Sequence, residues 1–283
     1  MLTILVDNRH RHRITSIRGY YAMTVHAPSL TPAVTRPEVS VYWKPGCSSC
    51  LKVKEFVEDQ GIPFESVDVS VSTEAMDEIF AAGLRSIPAV RRGTAFAYAQ
   101  SLDDVAKLLG VERRHTSLSF SDLFARWDIV LGKTRAILEK FDDAQLNERV
   151  IPIRDRSVKH LAVHIFQIPE AFIKQVDEGF TAVRDIQGFV DPSIVTRADL
   201  LAFAEGRQSK LQAWTTEKAN TLPPRLATYY GDQPASQVLE RAVWHCTQHA
   251  RQLDIIAAGR LGAEFEISPE TYAGLPLPKR LWA

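Results

Sequence analysis

Two hydrophobic rhythms divide this chain. Between residues 39 and 110, short apolar runs alternate with short amphipathic stretches; beyond residue 119, apolar positions recur at helical spacing over segments of roughly 20 residues. Val39 to Trp43 reads as a buried-type strand. Leu51, Val53, Phe56 and Val57 place a helix over Ser49 to Gln60, which Gly61 stops. Phe64 to Val69 is a second strand, and a helix reaching Ala82 follows, with Thr73 as its N-cap and Gly83 as its terminator. Ile87 to Arg91 and Thr94 to Tyr98 flank Gly93 as a hairpin, and Ser101 caps a helix from Leu102 to Leu109 that ends at Gly110.

After a polar stretch at 111–118, four long helices are predicted. They are Ser121 to Phe141; Ser157 to Glu178, with a kink expected at Pro169; Asp199 to Ala219, opened by Thr196-x-x-Asp199; and Ala235 to Arg260. The expected architecture is an α/β domain over 39–110, a linker at 111–118 and an all-α four-helix bundle over 119–283.

Composition changes this picture only by exclusion. Formal net charge is +0, so there is no electrostatic footprint for nucleic acid, and no apolar run approaches the roughly 20 residues of a membrane span. Residues 1–38 read as a flexible tail. Asn8 to Arg13 is basic and polar, prolines recur at 28, 32 and 37, and no signal-peptide core follows. Met23 is an alternative start, His10 and His12 read as a solvated pair, and the segment is assigned no function.

Three cysteines are present, and two of them form Cys47-Ser48-Ser49-Cys50, between a strand and a helix. A cysteine at a helix N-terminus meets unpaired N–H groups and the positive end of the macrodipole, both of which favour the thiolate. Lys44 adds a cation nearby, and Cys50 is one turn away, placed to attack a mixed disulfide formed on Cys47. A single CxxC with one further cysteine points to a redox pair in a reducing compartment, hence a cytoplasmic protein. Half of a zinc site is the structural alternative, but a four-thiolate site cannot be assembled from three cysteines.

The stretch Val39 to Gly110 resembles the glutaredoxin family, a thioredoxin-like fold, through Lys44-Pro45-Gly46-Cys47-x-x-Cys50, Gly61-Ile62-Pro63-Phe64 and Ser86-Ile87-Pro88-Ala89-Val90. The resemblance implies that Pro88 is cis and lies against the cysteines. It also implies that Cys47 is the nucleophile, that Cys50 resolves, and that Lys44, Ile87 and Pro88 line a glutathione groove. The sequence departs from the family where Ser48-Ser49 replaces the usual aromatic, and where only Gly93 and Ser101-Leu102-Asp103-Asp104 remain of the motif for the γ-glutamyl end. Trp43 is read as packing and Arg91-Arg92 as exposed hairpin charges.

On the last predicted helix lies Trp244-His245-Cys246-Thr247-Gln248-His249. Two histidines four apart share a helical face, with about 5–6 Å between their Cβ atoms, and can bind one ion. His164 on the second long helix is the best third ligand, with His160 its competitor. Cys246 sits about 100° round the helix from His245 and is read as packing, and Asp254 and Glu240 as solvated-face acids.

Ser157-Val158-x-x-Leu161-x-x-His164-Ile165, His245-x-x-x-His249-x-x-Gln252-Leu253 and the tail Leu275-Pro276-Leu277-Pro278 with Trp282 resemble the DinB-like four-helix metalloproteins. That resemblance implies a divalent metal (Zn, Ni or Mn) on His164, His245 and His249, with Gln252 behind them. It also implies thiol-dependent transferase or isomerase chemistry. The combined expectation is a glutaredoxin-type oxidoreductase fused to a metal-dependent domain. That domain would use glutathione or a similar low-molecular-weight thiol against a small electrophile or disulfide. No nucleic-acid or membrane partner is expected, and a homodimer is among the assemblies allowed. The alternative makes Cys47 the sole catalytic centre and the bundle a metal-binding, dimerisation or stress-sensing module.

Overall fold

The computed structural model describes residues 37–150 and 156–282, together with the backbone but not the side chain of Arg184. The reading of the first 38 residues, including His10, His12 and Met23, falls almost wholly outside the described residues. The described residues pack as one compact unit.

The α/β region is a four-stranded sheet ordered β2-β1-β3-β4, built from β1 (Val39–Trp43), β2 (Phe64–Asp68), β3 (Ala89–Arg92) and β4 (Ala95–Tyr98). Strand β1 pairs parallel to β2 and antiparallel to β3, so it is central, and it carries no charged residue and is buried along most of its length. Alternation along β1 feeds two half-cores. Val39 and Val41 pack with Val53, Val57, Val105 and Leu109, while Tyr42 packs with Cys50, Ile79 and Ile87. Helices α1 (Ser48–Asp59), α2 (Thr73–Ala81) and α3 (Leu102–Leu109) cover the sheet. Ser72, not Thr73, caps α2: its side chain accepts from the Ala75 N–H, leaving Thr73 as the first helical residue.

Four long helices follow: α4 (Phe120–Glu139), α5 (Val158–Glu178), α7 (Arg197–Lys218) and α8 (Ala235–Leu261), with the short α6 (Val183–Gln187) between α5 and α7. Helices α4 and α5 each pack against both α7 and α8. Thr196 and Asp199 close the reciprocal capping box that opens α7, and Pro169 is accommodated inside an assigned helix that continues to Glu178. The largest fully buried side chain is Trp127, whose truncation to alanine is expected to cost about 3–5 kcal/mol. Between α7 and α8 the chain makes a hairpin, β5 (Arg225–Thr228) and β6 (Gly231–Pro234), that apolar periodicity does not signal. Only one side chain in each four-residue strand, Leu226 and Gln233, is buried. No helix of the described residues is long and apolar enough to cross a membrane.

The stretch 111–118 has no regular structure, yet it is pinned at both ends of the junction: Arg113 pairs with Asp103, and His115 Nε2 lies 2.8 Å from both carboxylate oxygens of Glu240. Glu240 is therefore a buried, partnered acid rather than one on a solvated face. Asp254 differs from expectation in the same way. It is 2% exposed and accepts the backbone N–H groups of Glu266 and Ile267, fixing the segment after α8. Gln233 and Gln237 donate to Asp104 and Asp103, so side chains entering α8 hold the start of α3. Lys52 of α1 lies 4.6 Å over the Trp244 ring. The Glu55 carboxylate accepts the N–H groups of Lys279 and Arg280, strapping the C-terminal segment to α1.

Candidate active site at the junction

Cys47 is the N-cap residue of α1, and the Cys50 N–H points at its sulfur, 3.2 Å away. This is the local geometry in which a thiolate is favoured. The two cysteines form a disulfide. Cys47 is half-buried and Cys50 fully buried, so an incoming molecule meets Cys47 first. The Ile87–Pro88 bond is cis. Ile87 lines the same cavity as Cys47, and its carbonyl accepts from Gln100 Nε2 at 3.3 Å. Lys44 is exposed at the cavity's edge. Trp43 is half-buried under the Lys54 ammonium, 3.8 Å from its ring centroid, and lies outside the cavity lining. Arg91 bonds Tyr42 and Ser40 and Arg92 bonds Glu38, so both are fastened to the sheet rather than free hairpin charges.

On the other side, α5 and α8 bring His164, His245 and His249 together, with donor nitrogens all within 4.8 Å of one another. The His245 and His249 Nε2 atoms are 3.1 Å apart. Two imidazole nitrogens each about 2.0–2.1 Å from one tetrahedral ion lie about 3.3 Å apart. The remaining ring nitrogens bear on orientation. His164 Nδ1 is 3.1 Å from the Gln187 carbonyl and must donate to it, which in the neutral ring leaves Nε2 as the ligand nitrogen. His249 Nδ1 is 2.8 Å from Gln252 Oε1, and Gln252 Nε2 donates to the Leu281 carbonyl at 2.6 Å. His245 Nδ1 is buried without a hydrogen-bond partner. Burial, then the neighbouring His249 and His164, then Arg241 and Arg156, hold His245 well below its ordinary pKa, in the neutral form a metal requires. These residues could hold a divalent cation.

His160, the rival third ligand, is exposed and turned to Ser157, whose hydroxyl lies 2.8 Å from its Nδ1. Cys246 is fully buried against the Ile165 carbonyl, and burial pushes its thiol up to about 12, so it is inert packing at neutral pH.

One cavity of about 560 Å³ is lined by Cys47 and by all three histidines. Sequence reasoning places the two sets in separate domains and does not foresee that they face one space. It also misses Arg241 and Gln100. Arg241 donates to Gln100 Oε1 at 2.7 Å and lies 3.5 Å from Ser49 Oγ, joining α8 to the cysteine loop. Its signal is nonetheless present: Arg241, His245 and His249 are spaced by four and share one stripe of α8.

Residues 39–96 match the family model described as Glutaredoxin, and the N-terminal region is a glutaredoxin domain with a thioredoxin-like α/β fold. Two curated relatives align over 61 residues. The "Gene 56 protein" of Mycobacterium phage L5 is 40% identical across 22% of this chain and 50% of its own length. The "N-acetyl-S-hydroxy-L-cysteine reductase" of Bacillus subtilis (strain 168) is 34% identical across 21% of this chain and 66% of its own. The chain thus spans between half and two thirds of these relatives. Among solved structures, a mutant of the thioredoxin-like protein BC3987 is 25% identical, with 26% of this chain and 97% of that one covered and a TM-score of 0.26.

Proposed function

We propose that this chain is a thiol-handling enzyme with two chemistries on one cavity: disulfide exchange at Cys47 and Cys50, and metal-assisted transfer or addition of a low-molecular-weight thiol, glutathione or a similar one. The observation that carries this reading is the shared cavity, which Cys47 and the three histidines both line. In the exchange, the Cys47 thiolate attacks one sulfur of a small disulfide, forms a Cys47 mixed disulfide and expels the other half as thiolate. Cys50 then attacks the Cys47 sulfur, releases the second thiolate and leaves the Cys47–Cys50 disulfide, which two further thiols reduce. With an S-hydroxylated thiol, the substrate type in the name of the Bacillus subtilis relative, the first step expels hydroxide instead.

The helical region is read as a DinB-like four-helix bundle, with His164, His245 and His249 as ligands of Zn, Ni or Mn. When bound, such an ion favours the thiolate of a coordinated thiol or polarises a substrate carbonyl. Gln187 and Gln252, through their contacts with the His164 and His249 Nδ1 atoms, would keep both rings oriented for the ion. We place the protein in the cytoplasm, where a redox CxxC pair is kept reducible.

The test is elemental analysis of untagged protein beside a His245→Ala/His249→Ala variant and Cys47→Ser, with disulfide-reductase and thiol–electrophile turnover measured on each. About one divalent ion per chain, lost in the histidine variant and kept in Cys47→Ser, supports the reading, as does transferase turnover that follows the metal. No metal after Zn²⁺, Ni²⁺ or Mn²⁺ is supplied would sink the metalloenzyme half. Loss of all turnover with Cys47 and none with the histidines would favour a glutaredoxin carrying a binding module.

A further inference from the structure

The cavity has a charge that neither set of reacting residues explains. Among the described residues, its lining includes Lys44, Arg85, Arg156 and Arg241 and no aspartate or glutamate. Arg241 is the telling member. It is half-buried on α8, one turn before His245. The hydrogen bonds it makes run to the neutral Gln100 Oε1 and Ser49 Oγ, and its guanidinium lies 5.7 Å from the Tyr230 ring centroid. It therefore stands between the cysteine loop and the histidines, with its charge held in a partly dry space and balanced by no carboxylate in that lining. Arg156 lines the same space as a second cation from the helical side. A divalent ion on three neutral imidazoles would leave the same space more positive still.

We propose that Arg241 is an anion anchor and that the molecule occupying this cavity is a carboxylate-bearing small thiol or its conjugate, held by its carboxylate from the helical side. This rests on the reading of the cavity as a thiol site and deepens it by naming the ligand's charge and the residue that reads it. Guanidinium groups suit this task because their planar fork meets a carboxylate with two parallel bonds. The cavity, about 560 Å³, is in the size range of sites for small organic ligands.

The experiment is calorimetric titration with S-methylglutathione, which carries two carboxylates and no reactive thiol, and with its diethyl ester, beside metal analysis of the same samples. The diacid is expected to bind the parent protein roughly ten- to a hundredfold more tightly than the diester, and Arg241→Gln to lose that margin while Arg241→Lys keeps part of it. Gln237→Ala separates anchoring from mere joining of the two regions, since it removes a bond from α8 to Asp103 on α3, outside the cavity lining, and leaves Arg241 and its partners in place. Little change there, with a large loss in Arg241→Gln, supports the anchor. Equal losses in both variants, equal binding of acid and ester, or no saturable binding of the diacid to the parent each overturn the proposal. Parent protein that takes up no metal even after Zn²⁺, Ni²⁺ or Mn²⁺ is supplied, yet still prefers the diacid, would sink the metalloenzyme reading and leave the anchor standing.

Discussion

The two walls of the cavity are built by opposite means. The cysteine wall is local: Cys47 caps α1 and Cys50 lies three residues on, so one helix start sets the pair. The histidine wall is assembled across distance, with His164 on α5 meeting a pair on α8 some 80 residues later, 85 by numbering to His249. A local site survives loosening of the tertiary structure around it. A site drawn from two helices depends on their packing and on the groups that hold each ring. The walls should therefore fail independently when their own atoms are removed, and only the histidine wall should fail when its supports are removed.

The largest expected effect tests the first half of that statement. Cys47→Ser should lower reduction of a small disulfide by at least about a thousandfold, because an alcohol cannot replace a thiolate as nucleophile. Bound metal per chain should stay unchanged. Loss of metal in the same variant would show that the walls are one site and would break the comparison. Glu55→Ala comes next and acts on the strap between the regions. Its buried carboxylate accepts the Lys279 and Arg280 N–H groups and Arg280 Nε. Losing it should destabilise the folded chain by about 2–3 kcal/mol, read as a shift in the denaturant midpoint. It should leave the reactivity of Cys47 toward a small disulfide near that of the parent protein.

How much could be read from sequence follows the same division. Strand β1, helix α3 with its Ser101 and Gly110 caps, and the Thr196–Asp199 capping box were legible because each signal lies within a few residues of its effect. The four long helices were legible from periodicity, because their buried faces repeat over many turns. The hairpin at 225–234 was not, since its strands are too short to alternate more than once. Nor were the roles of Asp254 and Glu240. An acid on a helix pattern reads as solvated unless its partner is known, and those partners, the N–H groups of Glu266 and Ile267 and the His115 ring, come from loops with no periodicity. The shared cavity was illegible for a related reason. It depends on side-chain pairs such as Arg241–Gln100, 141 residues apart, and no spacing rule reaches that far.

Gln252 sharpens the account of the histidine wall. Its Oε1 receives the His249 Nδ1 proton while its Nε2 is held by the Leu281 carbonyl, so the ring is fixed through the C-terminal segment. Gln252→Ala should weaken metal binding about ten- to a hundredfold, measured by competition with a chelator. Disulfide reduction at Cys47 should be untouched. Equal metal affinity in parent and variant would mean that packing alone orients His249, and that the supported wall is less dependent on its supports than argued here.

The smallest effect concerns the junction between the walls. Lys52 lies over the Trp244 ring, and burial, with help from the Arg113 charge and against Glu240 and Glu55, lowers its pKa to about 7. In the unfolded chain the amine keeps its ordinary value, 10.5. Between these values the unfolded state binds more protons than the folded one, so this group makes stability rise with pH through that window. Below pH 7 both states are protonated, and the folded chain carries the full cost of an ammonium in the junction. Lys52→Met removes that cost but also the cation–π contact, itself about 0.5–2 kcal/mol. The variant should therefore exceed the parent in stability at pH 6, with the gap narrowing from pH 7 upward. Paired denaturant curves at pH 6 and pH 9 measure this difference. A gap that is constant with pH would show that Lys52 stays charged in the folded junction, held by Glu240 and Glu55, and that the two regions meet through a wetter, more polar surface than the buried amine implies.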